Sequence, residues 1–300
     1  MKDRIELSNA DNLDIMKFLG DESLDIICID PPYLYLKNQK LERVFDEQKF
    51  FSECKRLLTK KGFIVMFGRG ESFYRWNTLL ADLGFIFKEE IVWDKMRITS
   101  PMNALGRRHE TVSIFTKKDG KVNKIKRPLI EAYKFEPKKI EETIYRLQTT
   151  FGNRETFDLL KEYYSSGLYH NDEGNERKFN PTLQTDIKKA NRTVQFAIKL
   201  EEGVMEKSVI QETHDRETIH PTQKPVRLLE RLLNLVLPKD KKKIVIADFF
   251  AGSMSCMEAV INLQNQNPDK DFTGIATEID EEYFLAGKER IENILNKELC

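Results

Sequence analysis

The tetrad Asp30-Pro31-Pro32-Tyr33 places a carboxylate, two residues without backbone donors and an aromatic ring at the end of a short apolar run, Asp25 to Asp30. Two consecutive prolines restrict the chain, so the Pro31 carbonyl is held as a fixed acceptor beside the Asp30 carboxylate. Two acceptors converging on one point suit an NH2 group. An exocyclic amine has its lone pair delocalised into its ring, and accepting hydrogen bonds from both protons favours the pyramidal, nucleophilic form. Tyr33 offers a flat surface on which such a ring would stack. A turn with a capping aspartate would read the same way, so the tetrad alone does not decide.

A second stretch, Ala247-Asp248-Phe249-Phe250-Ala251-Gly252-Ser253, also closes an apolar run, and a helical pattern follows it. Small residues there let a ligand approach the backbone, and a helix N-terminus offers free N–H groups. Roughly 25 residues further on, Glu278 ends the next apolar run, where a carboxylate can accept bonds from both hydroxyls of a ribose. A glycine-rich turn by itself is weak; its distance from Glu278 points to an adenosyl cofactor.

To serve one site, both motifs must stand at the carboxyl ends of neighbouring strands. Short apolar runs followed by amphipathic stretches recur at both ends of the chain, as a parallel sheet with crossover helices requires. Strands are expected at Ile5 to Ser8, Asp25 to Asp30, Phe63 to Phe67, Ile244 to Asp248 and Phe272 to Glu278, with Phe85 to Trp93 and Thr111 to Thr116 as a closing pair. Helices are expected at Asp11 to Leu19, Asp46 to Leu58, Glu71 to Leu83, Pro221 to Leu237, Met254 to Leu263 and Glu281 to Asn296. Between Lys117 and Thr218 the alternation fades into charged and aromatic residues, with helical pieces near Lys138 to Thr149 and Thr156 to Tyr164. Residues 117–218 therefore read as a mainly helical insert in a domain formed by 1–116 and 219–300.

Composition narrows the partners. The 300 residues carry 49 basic and 49 acidic side chains, so a polyanion would have to meet a local patch rather than a general positive charge. Lys117, Lys118, Lys121, Lys124, Lys126 and Arg127, opposed only by Asp119, form one such patch. No apolar run approaches the roughly 20 residues that span a bilayer, and the charged N-terminus lacks a secretion signal's apolar core, which predicts a cytoplasmic protein. Cys28, Cys54, Cys256 and Cys300 are widely spaced and read as reduced thiols. His109, His170, His214 and His220 show no paired ligand spacing, so no metal is expected.

Taken together, Asp30-Pro31-Pro32-Tyr33 and Phe250-Ala251-Gly252-Ser253 resemble the amino-methyltransferases that modify DNA, in the beta-group order with the tetrad first. Three further stretches fit that resemblance. Ala10-Asp11-Asn12 is similar to the segment contacting the adenine of S-adenosyl-L-methionine, and His220-Pro221-Thr222-Gln223-Lys224-Pro225 to the motif near its methionine carboxylate. Ile91-Val92-Trp93-Asp94-Lys95 with Arg107-Arg108-His109-Glu110 is similar to the pair of strands closing the sheet.

The resemblance implies a Rossmann-like α/β methyltransferase fold: a seven-stranded, mostly parallel sheet with one antiparallel strand, a circularly permuted motif order and the insert for target recognition. It implies site-specific transfer of a methyl group to adenine N6 in double-stranded DNA. Asp30, Pro31, Pro32 and Tyr33 would be catalytic. Asp11, Asp30, Thr222, Lys224, Asp248, Phe250, Ala251, Gly252, Ser253 and Glu278 would bind the cofactor, and Arg107, Arg108, Lys117, Lys118 and Lys121 would bind DNA. Cytosine-N4 transfer is the nearest alternative; an inactive fold that binds DNA is a further one. A homodimer is frequent in the group, although no self-complementary apolar face is visible here, and a companion restriction nuclease is an implied partner. Met254 departs from the family's usual glycine, which places a flexible side chain at the start of a helix expected to face the cofactor.

Overall fold

The computed structural model describes residues 4–33, 43–98, 104–151, 202–215 and 218–297, together with 169–170, 176–177 and 199. The chain divides into two compact units, one of residues 1–123 with 207–300 and one of 124–206.

The first unit opens with β1 (Ile5–Ser8), α1 (Asn12–Met16), β2 (Leu24–Ile29), α2 (Glu47–Leu57), β3 (Leu58–Gly68), α3 (Gly70–Asp82), β4 (Ile86–Asp94) and β5 (His109–Thr116). The second holds β6 (Lys126–Arg127), α4 (Leu129–Ala132), α5 (Pro137–Phe151), β7 (Tyr169–His170), β8 (Glu176–Arg177) and β9 (Val204–Met205). The first unit resumes with β10 (Val209–Gln211), α6 (Val226–Val236), β11 (Lys243–Asp248), α7 (Ser255–Gln266), β12 (Asp271–Thr277) and α8 (Glu281–Lys297).

One eight-stranded sheet runs in the order β1-β12-β11-β2-β3-β5-β4-β10. Its pairings are parallel except those of β5, which opposes both β3 and β4. All six residues of β2 are buried, as expected of a strand covered on both faces. Asp11 and Asp46 start α1 and α2 by accepting the N–H groups of Leu13 and Lys49, the role that short acidic side chains perform at helix N-termini. Phe50, Phe51, Leu57, Trp76 and Leu80 from α2 and α3 are buried in one core with Ile27 and Ile29 of β2 and Ile64 and Met66 of β3.

Three details differ from expectation. The sheet has eight strands rather than seven, because Val209–Gln211 pairs with Val92–Asp94 of β4; three residues in a polar stretch are too few to reveal alternation. Helix α6 begins at Val226, after Pro225, rather than at Pro221. Proline disfavours helical backbone in the residue before it, which keeps Lys224 out of the helix. Met254 is not the first helical residue of α7 but its cap, in left-handed backbone with φ of 59°. In the second unit, α5 contains the expected helix at Lys138 to Thr149, whereas Thr156 to Tyr164 lies outside the described residues.

Candidate active site

β2 and β11 are neighbours, and their carboxyl ends carry the two motifs. Between β11 and β2 the order of strands reverses in chain direction, which is where open α/β sheets form a ligand crevice. One cavity lies there, and its walls include Asp11, Asp30, Pro31, Pro32, Tyr33, Thr222, Lys224, Asp248, Phe250, Ala251, Gly252, Ser253 and Glu278. Every residue expected to be catalytic or to bind the cofactor thus faces one space.

The tetrad's carboxylate is held from two sides. Tyr33 Oη donates to Asp30 Oδ1 at 2.6 Å, and Lys224 Nζ pairs with Asp30 Oδ2. The Tyr33 backbone is fixed in turn, since Ser72 Oγ donates to its carbonyl at 2.6 Å. A second carboxylate, Glu110, stands 3.4 Å from both the Tyr33 hydroxyl and Lys224 Nζ, and Lys95 Nζ pairs with it at 2.5 Å. Burial raises the pKa of Asp30, with the Lys224 ammonium opposing and Glu110 reinforcing the rise. Burial also pushes Glu110 upward, but the ammoniums of Lys224 and Lys95 prevail and hold it at about 2. For Lys224, burial favours the neutral amine, and the two carboxylates more than reverse this, so its pKa is raised.

The second loop is braced by its own backbone. Glu278 accepts the Gly252 N–H through Oε2 and the Asp280 N–H through Oε1, each at 2.8 Å, and the Ala251 N–H reaches the Thr277 carbonyl at 3.0 Å. Gly252 adopts φ of 47°, a conformation open to glycine, and faces His220: a Cβ there would stand 3.5 Å from the imidazole Nε2. The Thr222 N–H donates to His220 Nδ1 at 3.2 Å, which leaves Nε2 to carry the proton. Burial, then the nearby Lys224 charge, lowers His220 to about 4, so the ring is neutral at pH 7. Asp248 is buried, accepts the Phe250 N–H at 3.0 Å, and is pushed up to about 7, first by burial.

Met254 does not enter the cavity. Its side chain is fully buried and points at Gly287 of α8, where a Cβ would come within 2.5 Å of Met254 Cγ. The absence of a side chain at Gly287 makes room for the one at Met254, so the flexible side chain at the start of this helix is turned away from the cavity.

The residues expected to bind DNA separate into two groups. Arg107 and Arg108 precede β5 at the cavity end of the sheet, with Arg108 held bidentately by Asp94 at 2.6 and 2.9 Å. Lys117, Lys118 and Lys121 follow β5, and because β5 is antiparallel they lie at the sheet's opposite end. Lys117 is occupied there by Glu22 at 3.0 Å and the Leu58 carbonyl at 2.8 Å, so the structure removes these three lysines from the cavity's surroundings.

Sequence reasoning missed Glu110, Lys95, Arg43, Phe45 and His220 as site residues. Phe45 stacks edge-on against Phe250 at 5.1 Å, and Arg43 pairs with Asp280 at 3.1 Å, so the chain beyond the tetrad also forms a wall of the cavity. A glutamate second in the apolar strand His109–Thr116 was the visible signal for Glu110.

The sequence model described as DNA methylase, of the N6/N4 class, matches residues 24–289. The chain belongs to the N6/N4 DNA methylase family. This methylase is 25% identical over 305 residues to the Type II methyltransferase M.HpaI of Haemophilus parainfluenzae, covering 99% of this chain and 76% of that protein. It is 29% identical over 119 residues to M.HinfI of Haemophilus influenzae, covering 32% of each. Among solved structures, the M1.HpyAVI–SAM complex superposes with a TM-score of 0.52 at 19% identity, covering 95% of this chain and 99% of the other. The cytosine-N4-specific PvuII DNA methyltransferase superposes with a TM-score of 0.54 at 13% identity, covering 98% and 92%. These neighbours show the methylase to have the Rossmann-like methyltransferase fold.

The methyl donor of the family is S-adenosylmethionine, and the cavity suits it. Asp248 is a buried carboxylate whose one hydrogen bond among the described residues is a backbone N–H; a cationic ligand would supply the counter-charge that burial leaves it wanting. Glu278, with one backbone bond on each oxygen, keeps lone pairs for two ribose hydroxyls. Apolar walls from Phe250 and Phe45 suit a purine. Among the described residues no cluster of histidine, cysteine, aspartate or glutamate could hold a metal ion, and no helix is long and apolar enough to cross a membrane.

Proposed function

We propose that this methylase is a site-specific adenine-N6 methyltransferase acting on a base rotated out of duplex DNA. The observation that carries the reading is the Asp30 carboxylate, fixed by Tyr33 and Lys224, facing the same cavity as the Phe250–Ser253 loop. Aspartate at the head of the tetrad supports adenine, since in the resembling family serine there goes more often with cytosine.

Bound S-adenosylmethionine supplies a methyl group on a sulfonium, activated without any help from acid or metal. Asp11, Phe250 and Glu278 would hold its adenosine, while Asp30, Asp248, Thr222 and Lys224 would meet the charged methionine end. Extruding the base costs a few kcal/mol, offset in part by about 1 to 3 kcal/mol of stacking on Tyr33. Asp30 and the Pro31 carbonyl accept the two N6 protons and aim the nitrogen lone pair at the methyl carbon. The positive charge that would develop on N6 as it takes the methyl group would lie beside the Asp30 carboxylate, and N6 would then release its extra proton to water. Arg107 and Arg108, at the cavity end of the sheet, would meet backbone phosphate, as would Arg69, which donates to the His109 carbonyl at 3.1 Å.

Incubating the purified protein with S-adenosylmethionine and DNA, then digesting the DNA to nucleosides for mass spectrometry, tests the reading. N6-methyladenine is the expected product. N4-methylcytosine would replace it with the second reading, which the specificity of the PvuII neighbour favours; an unmodified digest would refute both.

A further inference from the structure

Four charged side chains from four separate segments alternate in sign around the tetrad. Lys95 follows β4, Glu110 is the second residue of β5, Lys224 precedes α6 and Asp30 follows β2. Lys95 Nζ lies 2.5 Å from Glu110 Oε1, Glu110 Oε2 lies 3.4 Å from Lys224 Nζ, and Lys224 Nζ pairs with Asp30 Oδ2. The Tyr33 hydroxyl closes the ring, 2.6 Å from Asp30 and 3.4 Å from Glu110. Lys224 also sits over the rings of Phe67 and Tyr33, at 5.2 and 5.8 Å.

Closing a strand pair does not require such an array. Four charges taken out of water are costly, and a hydrophobic replacement of a buried ion pair is often neutral or stabilising. Val112 and Ile114 continue the inward row of β5 from Glu110 and are fully buried, so an apolar residue would suit the row. What Glu110 contributes instead is a second anchor for the two groups that hold Asp30: Lys224 and Tyr33.

We propose that Glu110 is a positioning residue for methyl transfer, fixing Lys224 and Tyr33 so that both hold the Asp30 carboxylate aimed into the cavity. The proposal rests on the methyltransferase reading above and adds a residue to it. It differs from the expectation that Lys224 serves the cofactor alone, and from the view of Glu110 as a sheet-closing residue. The charged or titratable groups facing Asp30 are Lys224, Glu110, Tyr33 and Asp248, with Lys95 behind Glu110 and His220 beside Lys224. Lys224 and Glu110 act on Asp30 in opposite directions, the first favouring its ionised form and the second its protonated form.

Glu110→Gln, which keeps shape and removes charge, and Lys224→Met test this. Glu110→Gln should lower kcat roughly 100-fold, the scale of a small misplacement at a reacting centre, and leave the dissociation constant for S-adenosylmethionine within about threefold of wild type. The acid limb of the kcat profile should move to lower pH in Glu110→Gln and to higher pH in Lys224→Met. A side chain that merely packs would move neither. Carboxyl-carbon NMR of Asp30, assigned by the resonance lost in Asp30→Asn, reads the same two opposite shifts without turnover. Midpoints that stay in place, or move the same way in both variants, would overturn the array; an unchanged kcat in Glu110→Gln would overturn the positioning role. Wild-type protein that transfers no methyl group to DNA would instead refute the reading beneath it, and the NMR titration would still decide the array.

Discussion

Strand β2 carries an aspartate near each end, and each is paired with a lysine from the far side of the sequence, yet only one borders the cavity. At the entering end, Asp25 is 2% exposed and accepts Lys241 Nζ at 2.6 and 2.7 Å and the Val245 N–H at 3.0 Å. Its bonds tie β2 to the start of β11, and it lines no part of the cavity. At the leaving end, Asp30 is bonded to side chains alone, faces a second carboxylate and opens on the crevice. What distinguishes them is the supply of neighbours: Asp25 fills its lone pairs with a lysine and a backbone N–H and ties two strands together, whereas Asp30 shares its lysine with a second carboxylate and borders open space.

The contrast is sharpest at Asp30. Asp30→Ala should reduce turnover about 10³-fold, the scale of losing a key electrostatic contact to the reacting group, while calorimetry finds S-adenosylmethionine still bound. A rate near wild type would erase the distinction between the two ends. Asp25→Ala should do the reverse. Loss of a buried charged acceptor that serves a lysine and a backbone N–H costs about 3 kcal/mol in urea unfolding, with kcat of the remaining folded protein unchanged. Lowered kcat without lowered stability would show that Asp25 belongs to the site.

A third aspartate, Asp248 on β11, refines the comparison through pH. Its folded pKa of about 7 lies above the ordinary 3.8, so the folded protein retains a proton that the unfolded chain has released. Stability from this group is therefore greatest at low pH and declines as pH rises from about 3.8 through about 7. Cofactor affinity should run the other way, since a cationic ligand favours the ionised carboxylate. Calorimetry should find S-adenosylmethionine bound about tenfold more tightly at pH 8 than at pH 6, and the difference should vanish in Asp248→Asn. A flat profile in the wild type would separate Asp248 from the ligand's charge. The smallest effect is expected at the entering end again. Lys117→Ala breaks a pair with the half-exposed Glu22 and should alter stability by less than about 1 kcal/mol. Methylation rates across a salt series should match wild type; a shallower salt dependence would return Lys117 to the DNA surface.

Most of the framework was legible because buried parallel strands announce themselves as unbroken apolar runs, as Asp25 to Asp30 and Ile244 to Asp248 do. The two motifs were legible for the same reason, since each stands where such a run stops. Three features were not. The pairing of Lys224 with Asp30 and Glu110 joins residues remote in sequence, and no local pattern encodes which of several carboxylates a lysine will reach. The direction of the Met254 side chain depends on Gly287, a residue on another helix that reads as unremarkable within its own pattern. The basic run beginning at Lys117 carried charge but no address: its distance from the cavity follows from β5 being antiparallel, which sends whatever succeeds it to the opposite end.

The position of β11 has a consequence for assembly. It lies between β12 and β2, so the sheet can close only by admitting a strand made long after its neighbour. Until residues 243–248 leave the ribosome, one hydrogen-bonding flank of β2, the strand that leads to Asp30, stays open. Pairings over such separations form slowly and leave adhesive edges in the interval. Chains interrupted between β10 and β11 should therefore be the aggregation-prone species during synthesis, and the two halves of the active site mature together or not at all.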